Sequence, residues 1–95
     1  MARYITLIRF TDQGARAIKK SAARAAGFRK VAERAGITVE AQYWTTGAYD
    51  GILILNANSE EKALHYLTEL AAAGNVRPET MQAFDAKQFG ALTGK

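Results

Sequence analysis

At 95 residues the chain has room for one domain with a modest core, because a domain of this size buries only roughly 60–65% of the surface its unfolded form exposes. Its 48% apolar and 23% charged residues match an ordinary globular protein. The absence of cysteine excludes disulfides, thiolate metal sites and a thiol nucleophile, and a single imidazole, His65, excludes a histidine metal cluster.

The net charge of +4 is concentrated between Asp12 and Ala35, where seven cations (Arg16, Lys19, Lys20, Arg24, Arg29, Lys30, Arg34) face two acids, Asp12 and Glu33. Such a segment can attract nucleic acid or another anion, and it is equally the solvated side of a surface helix. The opening run MARYITLIRF is too short and too alternating for a signal peptide. Nothing in the sequence approaches the length of a membrane span. A bacterial-type cytoplasmic protein is the expectation, with no membrane partner.

In chain order, RYITLIRF (3–10) is rich in β-branched and aromatic residues and reads as a first strand. Asp12 is placed to cap the helical segment 13–35. That segment carries two apolar stripes, Ala15/Ile18/Ala22/Ala25 and Phe28/Val31/Ala32/Ala35, rotated by roughly a quarter turn on a helical wheel. The offset predicts a short helix, a bend near Ser21 and a main helix stopped by Gly36. ITVEAQYW (37–44) alternates, with Ile37, Val39, Ala41 and Tyr43 on one side and Thr38, Glu40, Gln42 and Trp44 on the other. TTGAYD then turns the chain into GILILNA (51–57), which makes the pair a hairpin.

A second helix follows. Asn58 with Glu61 forms a start resembling a capping box, Ala63, Leu64, Leu67, Leu70 and Ala71 form the buried stripe, and Gly74 is the stop. His65 falls on the opposite, wet side of this helix. NVRPETMQAFD (75–85) is a fourth strand, with Pro78 near its start where a missing N–H is tolerated. Residues 86–95 are expected to be a loose C-terminal tail with at most one helical turn. The order β-α-β-β-α-β, with right-handed crossovers, defines an α+β, ferredoxin-like domain spanning 1–95: a four-stranded antiparallel sheet with two helices on one face.

The other face of that sheet needs cover. The third strand is apolar on both sides (Ile52 and Ile54 against Leu53 and Leu55), and so is the first (Ile5 and Leu7 against Tyr4, Ile8 and Phe10). Strands apolar on both faces are normally buried on both. A second copy packed sheet to sheet would provide the cover, so the chain itself is the first partner expected.

Several residues are candidates for a site. Gly47 permits the positive φ of a tight turn. Asp50 either ties that turn by accepting its N–H groups or acts as a carboxylate beside the Tyr49 phenol, able to take a proton if burial raises its pKa. Arg9, on the Ile5/Leu7 side of its strand, needs an acid such as Asp50 or Glu40, or a ligand anion. Arg77 reads as an exposed loop cation. No serine-histidine-aspartate set, phosphate-binding glycine loop or carboxylate metal cluster is present in the sequence, and no cofactor is called for. RNA recognition by such a sheet uses stacking aromatics on the first and third strands; GILILNA has none, so nucleic acid is not an expected partner.

The segments YITLIRFTDQG, YWTTGAYD and GNVRPETMQAF, in that order and covering roughly residues 4 to 85 with the helices between them, resemble the GYD-domain family. In this chain Ala48 separates Gly47 from Tyr49-Asp50, and Ser21-Ala22 stands where the family usually has proline after the serine. The resemblance implies a ferredoxin-like fold that pairs into a dimeric α/β barrel, and it implies no particular activity. Two functions are weighed first, ahead of a less favoured third, non-specific and salt-sensitive binding of nucleic acid through the basic helical segment. One is a homodimeric or larger assembly or binding module with a small apolar or aromatic ligand as a guest. The other is a cofactor-independent enzyme, monooxygenase- or isomerase-like, using a cleft lined by Arg9, Trp44, Tyr49 and Asp50.

Overall fold

The structure is a computed structural model and describes residues 2–94. Strand β1 spans Ala2–Phe10. Helix α1, Asp12–Arg16, is capped by Thr11, whose Oγ1 accepts the Gly14 N–H at 3.1 Å. Asp12, predicted as the cap, instead stands in the first turn, where its charge complements the helix dipole. A single 3-10 turn, Ile18–Lys20, leads into α2, Ser21–Arg34. The predicted break is therefore real, and it lies just ahead of Ser21. Gly36 ends the segment at φ 81°, in the left-handed region.

The two-stripe reading of this segment does not survive. Ala15, Ile18, Ala22 and Val31 face solvent, while one inner face runs through Ser21, Arg24, Ala25, Phe28, Ala32 and Ala35. Alanine-rich stretches give little contrast between buried and exposed positions, so the wheel has several near-equal solutions.

Strand β2, Ile37–Trp44, and β3, Gly51–Ala57, form the hairpin. Helix α3, Glu60–Ala72, starts one residue later than predicted, because Ser59 rather than Asn58 is the cap and accepts the Lys62 N–H. Its buried residues are Ala63, Tyr66 and Leu67. Leu64, predicted inside, is 67% exposed. Strand β4 spans Val76–Ala83, so Arg77 belongs to a strand and not to a loop. Where the sequence suggests at most one helical turn, the structure has α4, Ala86–Thr93, opened by a complete capping box between Asp85 and Gln88.

The sheet order is β2-β3-β1-β4, antiparallel throughout. Helix α2 packs against β2, and α3 against β3 and β4. The core lies between these helices and the sheet: Ile37 and Leu55 are fully buried, joined by Val39, Leu53, Ala57, Ile8, Ala32, Ala63 and Leu67. Each large aliphatic side chain placed there is worth about 1.5–3 kcal/mol over leaving it in water. Tyr66 meets Phe28 edge-on at 6.2 Å between ring centroids. Thr6, also fully buried, shares a 2.9 Å hydroxyl hydrogen bond with Thr80 on β4, which satisfies its polar atom.

The alternation of β2 changes phase midway. Val39 pairs with Leu55 but Ala41 with Ile54, a bulge that leaves Glu40 as the extra residue. Ile37 and Val39 therefore point into the core, whereas Ala41 and Tyr43 share the side of Ile54 and Ile52. Trp44 and Gln42 move to the helix side. The single alternating ladder read from the sequence is wrong beyond Val39 for this reason.

The side of the sheet away from α2 and α3 carries Ile5 and Leu7 of β1, Ile52 and Ile54 of β3, Ala41 and Tyr43 of β2, and Met81 of β4. Tyr43 and Met81 are 60% and 45% exposed. This apolar band is bounded by charged residues at both ends: Arg3 with Glu40 at one, Arg9, Arg77 and Glu79 at the other.

Candidate functional site

The chemistry-bearing residues of YWTTGAYD gather where the β2–β3 hairpin meets the end of β1. The turn closes on itself through the Thr45 N–H to the Asp50 carbonyl (2.9 Å) and the Thr45 hydroxyl to the Tyr49 carbonyl (2.7 Å). Gly47 adopts φ 107°, which a residue with a Cβ would adopt only under strain.

Asp50 then ties this turn to the neighbouring strand. Its N–H donates to the Ile8 carbonyl at 2.8 Å, and its Oδ2 accepts the Phe10 N–H at 2.8 Å. The carboxylate thus extends the β1–β3 ladder past its last pair, Ile8 with Gly51. The partner is a β1 amide, not an N–H of the Asp50 turn as the sequence suggests. An ionised acceptor of this kind makes one of the stronger hydrogen bonds.

Tyr49 turns to the uncovered side. Its hydroxyl donates to Glu79 Oε2 at 3.0 Å, and the Arg9 guanidinium lies 4.4 Å from its ring centroid. Arg9 also donates from Nε to the Ala48 carbonyl at 3.3 Å. The expected ion pair of Arg9 with Asp50 or Glu40 does not form: among the described residues Glu40 is taken by Arg3, at 2.6 Å and 3.1 Å to its two carboxylate oxygens. That pairing holds the Glu40 carboxyl below its usual range and raises the Arg3 guanidinium, the hydrogen bond being the main cause in each. Arg77 is the direct cross-strand partner of Arg9, so two guanidinium-bearing positions sit opposite one another. Opposed like charges are unfavourable, and the Tyr49 face offsets part of that cost for Arg9.

Trp44 lies on the other side of the sheet. Its Nε1–H donates to Ser21 Oγ at 2.9 Å, which pins the start of α2 to the end of β2. Trp44 and Asp50 help wall a cavity of about 60 Å³ between the sheet and the helices, with Ile8, Phe28, Leu53 and Tyr66. That is room for about two waters at their liquid volume. Burial pushes the Tyr66 phenol up to about 12, so it is neutral across the physiological range. The four residues proposed to line one cleft are therefore divided: Arg9 and Tyr49 are on the uncovered side, Trp44 is on the helix side, and Asp50 is committed to the backbone of β1.

The remaining candidates resolve simply. The His65 side chain is 76% exposed on α3, 3.9 Å from Glu69. No group of three or more metal-binding side chains occurs among the described residues. Within the basic segment, Arg24 donates to the Ala17 carbonyl (2.9 Å) across the α1–α2 break, and Arg29 donates to the Val39 carbonyl (3.1 Å). Their structural duties are not evident from the sequence, nor is the part played by Glu79. Tyr66 could have been found from its place between Ala63 and Leu67 on the inner arc of α3; Glu79 needed the β1–β4 register.

Sheet order, crossovers and helix placement define a ferredoxin-like α+β domain. The chain belongs to the GYD-domain family, whose pattern matches residues 4–92. A Thermus thermophilus protein named glutamine synthetase and cystathionine beta-lyase binding protein is 31% identical over 84 residues, covering 87% of this chain and 88% of the relative. Among solved structures, FFRP-DM1 is similar with a TM-score of 0.64 at 17% identity, over 88% of this chain and 100% of that one. TTHA0845, also from Thermus thermophilus, is similar with a TM-score of 0.56 at 24% identity, over 90% of this chain and 96% of that one. MtbAldR gives a TM-score of 0.61 at 18% identity, and the match spans 88% of this chain but 52% of the longer chain. These likenesses establish the fold. No helix among the described residues is long and apolar enough to cross a membrane.

Proposed function

We propose that this protein is a binding module that works as a homodimer, its uncovered sheet face packed against that of a second copy to close a dimeric α/β barrel. The observation that carries the proposal is the apolar band of Ile5, Leu7, Ile52, Ile54, Tyr43 and Met81, which neither α2 nor α3 covers. Contiguous apolar patches of this kind mark association surfaces, and a self-complementary patch is what a two-fold dimer requires. A protein partner is the more natural further ligand. The Thermus relative is named for binding two enzymes, and the cavity walled by Trp44 and Asp50, about 60 Å³, leaves little space for an aromatic guest beside those residues.

Absolute mass by light scattering on a sizing column, at micromolar and submicromolar concentration, tests the dimer. Wild type is expected at twice the chain mass, and Leu7→Lys combined with Ile54→Lys at the mass of one chain with its circular dichroism retained. A monomeric wild type at micromolar concentration would overturn the proposal. Calorimetric titration with purified glutamine synthetase and cystathionine beta-lyase tests the protein-partner reading, and silence with both would count against a partner of that class.

A further inference from the structure

We infer that α4 is an exchanged arm, seated with its apolar residues in the groove between α3 and β4 of the second copy. The inference rests on the homodimer proposed above and adds a second, reciprocal contact to it.

Helix α4 has no surface of its own to lie on. Every residue of Ala86–Thr93 is exposed, and Phe84, Phe89 and Leu92 are 49%, 59% and 65% exposed. Phe89 and Leu92, three residues apart, share one side of the helix. An eight-residue helix in water is marginal even with good capping, since isolated helices shorter than about 12–15 residues do not persist. The capping box of Asp85 and Gln88 sets where this helix starts; packing must hold it. The molecule's shape shows the same projection. Its extents are 50 × 31 × 18 Å and its radius of gyration is 14.2 Å, against about 12.4 Å for a compact chain of this length.

The chain also carries a vacant surface of matching character. A groove of about 610 Å³ runs between α3 and the edge strand β4, with Leu64, Leu67, Tyr4 and Pro78 in its walls. Leu64, 67% exposed, is the most conspicuous of them. The stretch of α3 along the groove, Glu60 to Ala71, is about 17 Å long at the helical rise, and α4 is about 12 Å, so the arm fits lengthwise. Charge agrees as well. Among the described residues Glu60 is the one charged residue in the groove's walls, and Lys87 is the one charged residue within α4. An arm and a groove of the same chain, each open and neither meeting the other, pair naturally across a two-fold axis: each copy gives one arm and receives one.

The lack of cysteine makes the test clean. Thr68→Cys in the groove wall and Thr93→Cys one turn beyond Phe89 on α4 are introduced together, both at exposed positions that leave Leu64, Phe89 and Leu92 in place, and the protein is treated with a short bismaleimide at micromolar concentration. The expected product is a covalent dimer on a denaturing gel, absent when Lys30→Cys on α2 replaces Thr68→Cys. Cross-linking only within single chains would place α4 in its own groove and overturn the inference. A dimeric mass by light scattering with no cross-link at all would overturn it while leaving the sheet-paired dimer standing. A monomeric mass would remove both.

Discussion

The two sides of the sheet are built from alternate residues of the same strands, yet they are finished differently. On the helix side, Leu53, Leu55 and Ala57 of β3 are at most 2% exposed and meet α2 and α3. On the other side Ile52 and Ile54, their immediate neighbours, are only half-buried. Hydrophobicity along β3 is nearly uniform, so composition does not distinguish the sides. What distinguishes them is whether the connecting chain supplies a layer. Both crossover helices fall on one side because right-handed connections leave them no alternative. The residual face is then a consequence of topology, and its apolar residues are what the proposed pairing of two copies would cover.

Substitutions at matched positions separate the two sides. Leu55→Ala, at a fully buried site, should cost about 2–5 kcal/mol through lost burial and a cavity, read from the denaturation midpoint. Leu7→Ala should shift association far more than it shifts unfolding of the monomer; equal losses at both sites would erase the distinction. Gly14→Ala tests how tightly the helix side is fastened. A Cβ there would fall 1.9 Å from the Asn75 carbonyl oxygen, so backbone must move, at about 1–3 kcal/mol or more. Asp50→Asn keeps an acceptor but loses its charge, and should cost about 1 kcal/mol; an unchanged midpoint would mean that the Phe10 N–H finds water just as well.

Acid and alkali address the two sides separately. The Tyr66 phenol is raised from 10.0 to about 12 by burial, so its contribution is intact below pH 10 and is lost as pH rises through about 12. Tyr66→Phe should flatten that alkaline decline in a pH series of melting temperatures. Glu40 is shifted the other way by Arg3. Its contribution is present above the ordinary carboxylate pKa and disappears as pH falls through the lowered value. Both partners are solvent-exposed, so Glu40→Gln should give the smallest change of the series, and one suppressed by salt.

Most of the fold was legible because each strand and the second helix carry their own period. The hairpin, the two crossovers and the helix-stopping glycines Gly36 and Gly74 all follow from local pattern. The bulge at Glu40 did not, because an extra residue in a strand leaves no compositional mark and reveals itself only through its partner's register. Caps moved by one residue at Thr11 and Ser59 because Thr-Asp and Asn-Ser each offer two competent acceptors in succession. At the candidate site, Asp50 was visible as an anomaly at the mouth of a strand. Its partner was not, since the Phe10 amide lies 40 residues away in sequence. The division of Arg9 and Tyr49 from Trp44 depends on the bulge, and so could not be read without it.

The place of β1 in the sheet has a consequence for how the chain is made. β1 is synthesised first but lies between β3 and β4, and its buried Thr6 waits for Thr80, 74 residues later in the sequence. Such distant pairing slows folding, because the loop must close before the contact rewards it. During translation the hairpin can form early, whereas one edge of β1 stays open until β4 has emerged. The sheet is completed by its last strand, so until β4 emerges the exposed edge of β1 is open to the wrong neighbour.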